Sequence, residues 1–307
     1  VLKQVTLWAL IIGLVSLSGC AHNNCQLAAV PAWLDTQQLL EDATQLSDIE
    51  MSGREPDTDG SHKAAGYIEK RLKQTGVEPW LGSYRQPFIE SGPFVDKTLQ
   101  NLVGYLPATE TTSRYVVVIA HYDHLGQRGF KTFYGADDNA SGVAAMLALA
   151  EQAAQTPKRS RHLIFVASDG EESGLLGAKH FAQTTQDLSI DLVLNLDMLG
   201  RNDGYRKLVV SPSNHPQVKQ QLQQLQARSY GCYRIGHPQD RRQLQRIDYS
   251  RSSDQHAFKP YNRPWIFVGG NQHSDWHTQY DTVERFNLDY FNLATATSWQ
   301  LLNLWLD

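Results

Sequence analysis

Two hydrophobic rhythms alternate along the chain. Short runs such as VVVIA (116–120), LIFVA (163–167) and LVLNL (192–196) carry almost no polar alternation. That pattern belongs to strands buried on both faces in the middle of a layered α/β sheet. Between them lie stretches of helical period, the clearest being Val143, Met146, Leu147 and Ala150 at i, i+3, i+4 and i+7. The pattern predicts strands at 101–106, 115–120, 162–168, 191–196, 208–211 and 265–269. It predicts helices at 36–50, 61–75, 141–155, 174–183, 216–229 and 288–305. The Gln-rich stretch 217–226 keeps a stripe of Val218, Leu222 and Leu225 and reads as a surface helix. Strands that alternate with helices imply an α/β fold with crossover helices. No internal repeat and no Pro/Gly/Ser linker divides the chain after residue 36, so 36–307 is expected to form one domain.

The first residues follow another logic. Val5 to Gly19 is a run of 15 residues without a charge, preceded by Lys3. A membrane-spanning helix needs about 20, so the run fits the apolar region of a signal peptide. It ends in Leu17-Ser18-Gly19-Cys20, which resembles the lipobox of bacterial lipoproteins. The resemblance implies a signal peptide over 1–19, acylation of Cys20 and a tether over 20–35. Ala21 after the cysteine implies sorting to the outer membrane, with the domain in the periplasm and membrane contact through the lipid on Cys20. Of the three cysteines, Cys25 and Cys232 remain. They are free to pair in an oxidising compartment, and their spacing fits no zinc-finger pattern.

Composition then excludes some classes. With 41% hydrophobic and 20% charged residues the chain is globular rather than disordered. A net charge of -4 argues against nucleic-acid binding through a basic field. Arg234, Arg241, Arg242, Arg246 and Arg251 against Asp240 and Asp248 form one local basic stretch, which reads as a solvated loop.

The candidate chemistry gathers at strand ends. Strand 115–120 leads to His121 and Asp123, strand 162–168 to Asp169, Glu171 and Glu172, strand 191–196 to Asp197, and strand 265–269 to His273, Asp275 and His277. Asp137 and Asp138 precede the 141–155 helix. Each group alone has an ordinary structural reading. Acids near helix starts suit the helix dipole, Asp138 suits a helix cap, and Asp197 suits a turn. Together they point elsewhere, because open α/β sheets bind ligands beyond the carboxyl ends of their strands. Several carboxylates at one edge repel unless a cation holds them. Imidazole plus carboxylate without thiolate suits zinc or a similar divalent ion.

The motifs AHYDHLG (120–126), GADDNASG (135–142), SDGEESGLLG (168–177), NLDMLGR (195–201) and WHTQYDT (276–282) stand in this order. The set resembles that of the co-catalytic zinc aminopeptidases of bacterial leucyl aminopeptidase type, within the zinc exopeptidase and glutaminyl cyclase superfamily. The likeness extends to MSGREPDTDGSHKAAGYIEKRL near the front and to SSDQHAF (252–258). It implies a three-layer sandwich with a central mixed, mostly parallel sheet flanked by helices. It also implies two zinc ions per chain bridged by Asp138. His121 and Asp197 complete one ion, and Glu172 and His277 the other. Glu171 is the implied general base and Asp123 the group that orients His121, with Asp137 as the weaker bridging candidate. The implied substrates are peptides with a free N-terminus.

Some relatives in the resembled family carry, just before the last histidine ligand, a Tyr that can stabilise the tetrahedral intermediate; this chain has Trp276 there, whose indole N–H is a donor on a bulkier, apolar ring. Trp276, Met198 and Phe258 are therefore candidates for an apolar side-chain pocket. Two rival readings remain, a single-zinc glutaminyl cyclase of the same superfamily and a non-catalytic envelope lipoprotein. The full set of ligand residues disfavours both.

Overall fold

The six apolar runs become six of the nine strands of one sheet in the computed structural model, which describes residues 29–202, 207–228, 233–235, 248–270 and 272–306. In chain order the elements are α1 (Thr36–Leu46), α2 (Asp59–Thr75), β1 (Glu78–Pro79), β2 (Arg85–Glu90), β3 (Lys97–Leu106), β4 (Arg114–His121), β5 (Gln127–Arg128), β6 (Lys131–Thr132), α3 (Gly142–Gln155), β7 (His162–Ser168), α4 (Leu176–Thr184), β8 (Ser189–Asp197), β9 (Leu208–Pro212), α5 (Pro216–Arg228), β10 (Tyr233–Ile235), β11 (Trp265–Gly269) and α6 (Leu288–Asn303). Strand order is β1-β3-β7-β4-β8-β11-β9-β10, with β2 also paired to β3. The four central strands β7, β4, β8 and β11 run parallel, and antiparallel pairs flank them at β3 and β9. The carboxyl ends of β4, β7, β8 and β11 therefore share one edge.

Side-chain alternation on these strands sorts the core into two layers. Val116, Val118 and Ala120 of β4 and Leu192, Leu194 and Leu196 of β8 pack with α1, α2, α3 and α6 on one face. Val117, Ile119 and Val193 point the other way, toward α4 and a 3₁₀ helix at Asp254–Tyr261. Both faces of the sheet are covered, so the strands need no polar alternation. The result is the expected three-layer sandwich.

Local chemistry sets the element ends. Asp35 caps α1 by accepting from the backbone N–H groups of Gln37 and Gln38. Thr58 and Ser61 form a capping box at α2, which stops at Gly76 with φ 82. The first helix ends at Leu46 rather than residue 50. The Ser47 hydroxyl turns back to the Ala43 carbonyl, and Asp48 caps a new 3₁₀ turn through Glu50 N–H. That turn needs Gly53 at φ 71, where an added Cβ would lie 2.4 Å from the Phe133 carbonyl oxygen. Strand β2 carries Pro87 and a mixed pattern (RQPFIE), which is why periodicity does not reveal it; it pairs with β3 alone. Among the described residues no helix is long and apolar enough to cross a membrane.

Cys20, Cys25 and Cys232 lie outside the described residues, as do Asp240, Arg241, Arg242 and Arg246. The stripe on α5 is seen in part, with Val218 and Leu222 buried.

Leu194 is fully buried in the larger core layer, whereas Leu81 is 86% exposed. Leu194→Ala is expected to lower the unfolding free energy by about 2–5 kcal/mol. Leu81→Ala is expected to change it by less than about 0.5 kcal/mol. Denaturant titration of the two variants beside the parent chain checks both.

Candidate active site

Every ligand or acid–base residue expected from sequence reaches the shared sheet edge. His121 and Asp197 are the last residues of β4 and β8. Glu171 and Glu172 follow β7, and α4 begins only at Leu176, so neither acid lies in that helix's first turn. Asp138 is not the cap of α3, a place that Ser141 takes. It sits instead in a π-helical turn at Ala136–Ser141 that delivers it to the strand ends, and its peptide bond to Asn139 is cis. Gly142 lets this turn approach β8, since a Cβ there would lie 2.4 Å from the Leu196 carbonyl oxygen.

The Asp138 carboxylate faces two groups of donors. Its Oδ1 lies 3.4 Å from His121 Nε2, which in turn is 3.7 Å from Asp197 Oδ1. Its Oδ2 lies 3.1 Å from His277 Nε2, which is 3.2 Å from Glu172 Oε2. Zinc bound to imidazole and carboxylate at about 2.0–2.2 Å puts tetrahedral neighbours about 3.3–3.6 Å apart, and these spacings bracket that range. Asp197 Oδ1 is buried without a hydrogen-bond partner among the described residues, which suits a metal ligand. The donor set thus fits two divalent ions, one on each side of Asp138.

Asp123 does more than face His121. Its carboxylate lies 3.7 Å from His121 Nδ1, while the ring is nearer the Asp123 carbonyl oxygen, at 3.3 Å. The two carboxylate oxygens accept the backbone N–H groups of Glu171 and Glu172 at 3.0 and 3.2 Å. One buried acid therefore fixes the loop that carries both glutamates. Asp137 points away from the paired donor groups. It lies 3.2 Å from His273 Nε2 and accepts from Gly200 N–H at 2.6 Å, which places it behind the site as a support.

Four further residues matter that sequence reading left without a role. Arg54 is fully buried, and its guanidinium donates to the carbonyls of Leu46, Tyr122, Tyr134 and Gly135 at 2.5–2.7 Å. It ties the front motif to the two loops that bring His121 and Asp138. Asp281 accepts the backbone N–H groups of Asp137 and Asp138, both at 3.0 Å. His124 meets Glu172 Oε1 through Nδ1 at 2.8 Å, and its donor atom also clusters with Asp138. His273 supports Asp137. His124, Asp281 and Arg54 stand inside the quoted stretches AHYDHLG, WHTQYDT and MSGREPDTDGSHKAAGYIEKRL, so position was the available signal, and the contacts of Arg54 are not visible in residue type.

Beside Glu171 a cavity of about 90 Å³ opens, lined by Met198, Tyr249, Phe267, Trp276 and the ligand residues. Met198 and Trp276 thus line the pocket as expected. Phe258 does not; it is fully buried against Phe181 in the smaller core layer, because the 3₁₀ helix turns it toward α4. Trp276 Nε1–H donates to Asp138 Oδ2 at 2.8 Å, and its ring stacks on His277. A larger cavity, about 440 Å³, lies at the opposite end of β11 around Trp265, Lys259 and Arg263.

Burial raises the Glu171 carboxyl well above the usual range, with His121 opposing and Asp254 and Asp197 adding to the rise. Asp254, at the base of the site against Ser168, is pushed up to about 7 by burial. Burial pulls His277 down, but its bonds to Asp138 and Glu172 win and push it up to about 10.

In the metal-free protein these shifts act in one direction. His277 contributes stability below its unfolded value of 6.5 that is lost as pH rises toward about 10. Asp254 disfavours the fold increasingly as pH climbs from its unfolded value of 3.8 through about 7. Zinc requires deprotonated ligands, so its stabilisation grows with pH. The melting temperature of chelator-treated protein is expected to fall between about pH 6 and pH 8.5, while the increment from added zinc rises. Thermal unfolding at both values with and without zinc decides this; parallel trends would contradict it.

Comparison with known proteins follows the same lines. The chain is 30% identical over 162 residues to the alkaline phosphatase isozyme conversion protein of Escherichia coli, covering 48% of this chain and 47% of that protein. It spans about half or less of the length of the curated relatives it matches. The fold is shared with a zinc aminopeptidase from Bacillus subtilis, at TM-score 0.71 and 14% identity over 89% of this chain and 95% of that one. It is also shared with the glutaminyl cyclase of Porphyromonas gingivalis, at TM-score 0.69 and 18% identity over 88% and 98%. Residues 101–302, which hold every proposed ligand and more than half of the sequence, match the family model described as Peptidase family M28, and the chain belongs to that family.

Proposed function

We propose that this chain is a two-zinc aminopeptidase that removes N-terminal residues from peptides. The observation that carries the reading is Asp138, whose Oδ1 faces His121, itself beside Asp197, and whose Oδ2 faces His277, itself beside Glu172. Zinc held by His121, Asp138, Asp197, Glu172 and His277 would supply Lewis-acid polarisation of the scissile carbonyl and would lower the pKa of water toward 7. The protein's own part begins with Glu171. Its carboxylate takes the proton from the attacking water and returns it to the leaving amine. Asp123 holds the Glu171 backbone, which fixes where that proton is received. The walls formed by Met198, Tyr249, Phe267 and Trp276 keep solvent off one apolar side chain of the substrate.

A glutaminyl cyclase would use one ion and has no need of the His121 side of the pair, so the facing arrangement favours the peptidase. The cellular address is a separate proposal that rests on Leu17 to Cys20 alone: a lipid on Cys20 holds the domain at the envelope.

Glu171→Gln is expected to reduce kcat by about 10²–10⁴ while zinc content stays at the parent value. Near-normal turnover would remove Glu171 as the base. Aminoacyl anilides with free N-termini should be cleaved, and their acetylated counterparts and chelator-treated samples should not. Cleavage of acetylated substrates at comparable rates, or cyclisation of N-terminal glutamine alone, would overturn the reading.

A further inference from the structure

The two sides of Asp138 are held differently. His277 stands between two rings: Trp276 stacks on it with centroids 3.7 Å apart and planes at 22°, and His124 meets it edge-on at 5.7 Å and 67°. Each of these neighbours also aims a ring nitrogen at a carboxylate that His277 faces. Trp276 Nε1–H donates to Asp138 Oδ2 at 2.8 Å, and His124 Nδ1 lies 2.8 Å from Glu172 Oε1. The two Glu172 oxygens are thereby divided, Oε1 to His124 and Oε2 to His277. His124 is fully inside, and Gly135 makes room for it, since a Cβ there would lie 2.5 Å from the ring. Its Nε2 is buried without a hydrogen-bond partner among the described residues, so the Glu172 contact is the polar interaction that fixes the ring. On the other side of Asp138, Asp197 Oδ1 has no such donor.

We propose that His124 and Trp276 are a pair of positioning residues that preform the His277 side of the site: His124 holds Glu172 Oε1 and leaves Oε2 toward the metal, Trp276 fixes the direction of Asp138 Oδ2, and together they lock the His277 ring. The inference rests on the two-zinc reading. It gives the Trp276 N–H an engagement with Asp138, so that Trp276 acts on the metal site and not as a hydrogen-bond donor to the substrate carbonyl. Partners of this kind typically change metal affinity by about 10–100-fold when removed.

The test is zinc titration of chelator-stripped full-length protein against a competing chromophoric chelator. It compares the parent with Trp276→Phe, which keeps an aromatic ring but loses the N–H, and with His124→Phe. The parent is expected to hold two ions. Each variant is expected to hold one with parental affinity and the other about 10–100-fold more weakly. Cobalt substitution gives a second readout, because the visible absorption of one of the two ions should change and that of the other should not. Two ions held at parental affinity in both variants would overturn the proposal. So would equal weakening of both ions, the mark of a merely structural role. If one variant fails to fold, the other carries the test, since each donor acts on a different carboxylate. A parent that binds fewer than two ions would overturn the two-zinc reading itself, an outcome distinct from either of these.

Discussion

A carboxylate that must serve two donor groups at once is the constraint around which this fold is arranged. Asp138 is placed between the ends of β4 and β8 on one side and the loop after β11 on the other. Its own conformation is not left to a helix cap. Asp281 grips the backbone N–H groups of Asp137 and Asp138, Asn139 donates to the Leu196 carbonyl, and the Ser141 hydroxyl closes the turn on Asp137. Precision at one carboxylate thus comes from three chain segments far apart in sequence. The parallel centre of the sheet makes this arrangement possible, because it brings four strand ends to one edge.

Collecting acids in a buried place needs compensation. Arg54 supplies part of it from behind, a buried guanidinium held by four carbonyls and drawn down to about 10 by burial, with Asp123, Asp281, Asp138 and Glu172 opposing the fall. It remains charged at neutral pH. Histidines supply another part while the site is metal-free, as the raised His277 indicates. Divalent ions would replace that compensation and release the imidazoles to act as neutral ligands.

Much of this was legible in the sequence, for identifiable reasons. The central strands are buried on both faces, so VVVIA, LIFVA and LVLNL stood out as continuous apolar runs and their ends marked the site. His121, Asp138, Glu171, Glu172, Asp197 and His277 were legible through ordered motifs, and all come to that edge. What escaped was whatever depends on contacts across the chain. Arg54 acts on the carbonyls of Tyr122, Tyr134 and Gly135, which leave no trace in residue type. Phe258 closes the SSDQHAF motif yet turns into the core, since a short 3₁₀ helix has no periodicity to reveal its direction. Trp276 was read as a pocket wall or an altered oxyanion donor, and only its geometry shows the bond to Asp138.

The claim at the centre is that Asp138 bridges two ions. Anomalous diffraction at the zinc edge from zinc-loaded crystals tests it most directly. The account predicts two peaks about 3.5–4 Å apart, with one Asp138 oxygen facing each, His121 and Asp197 on one ion and Glu172 and His277 on the other. A single peak, or a second ion bound away from Asp138, would contradict it.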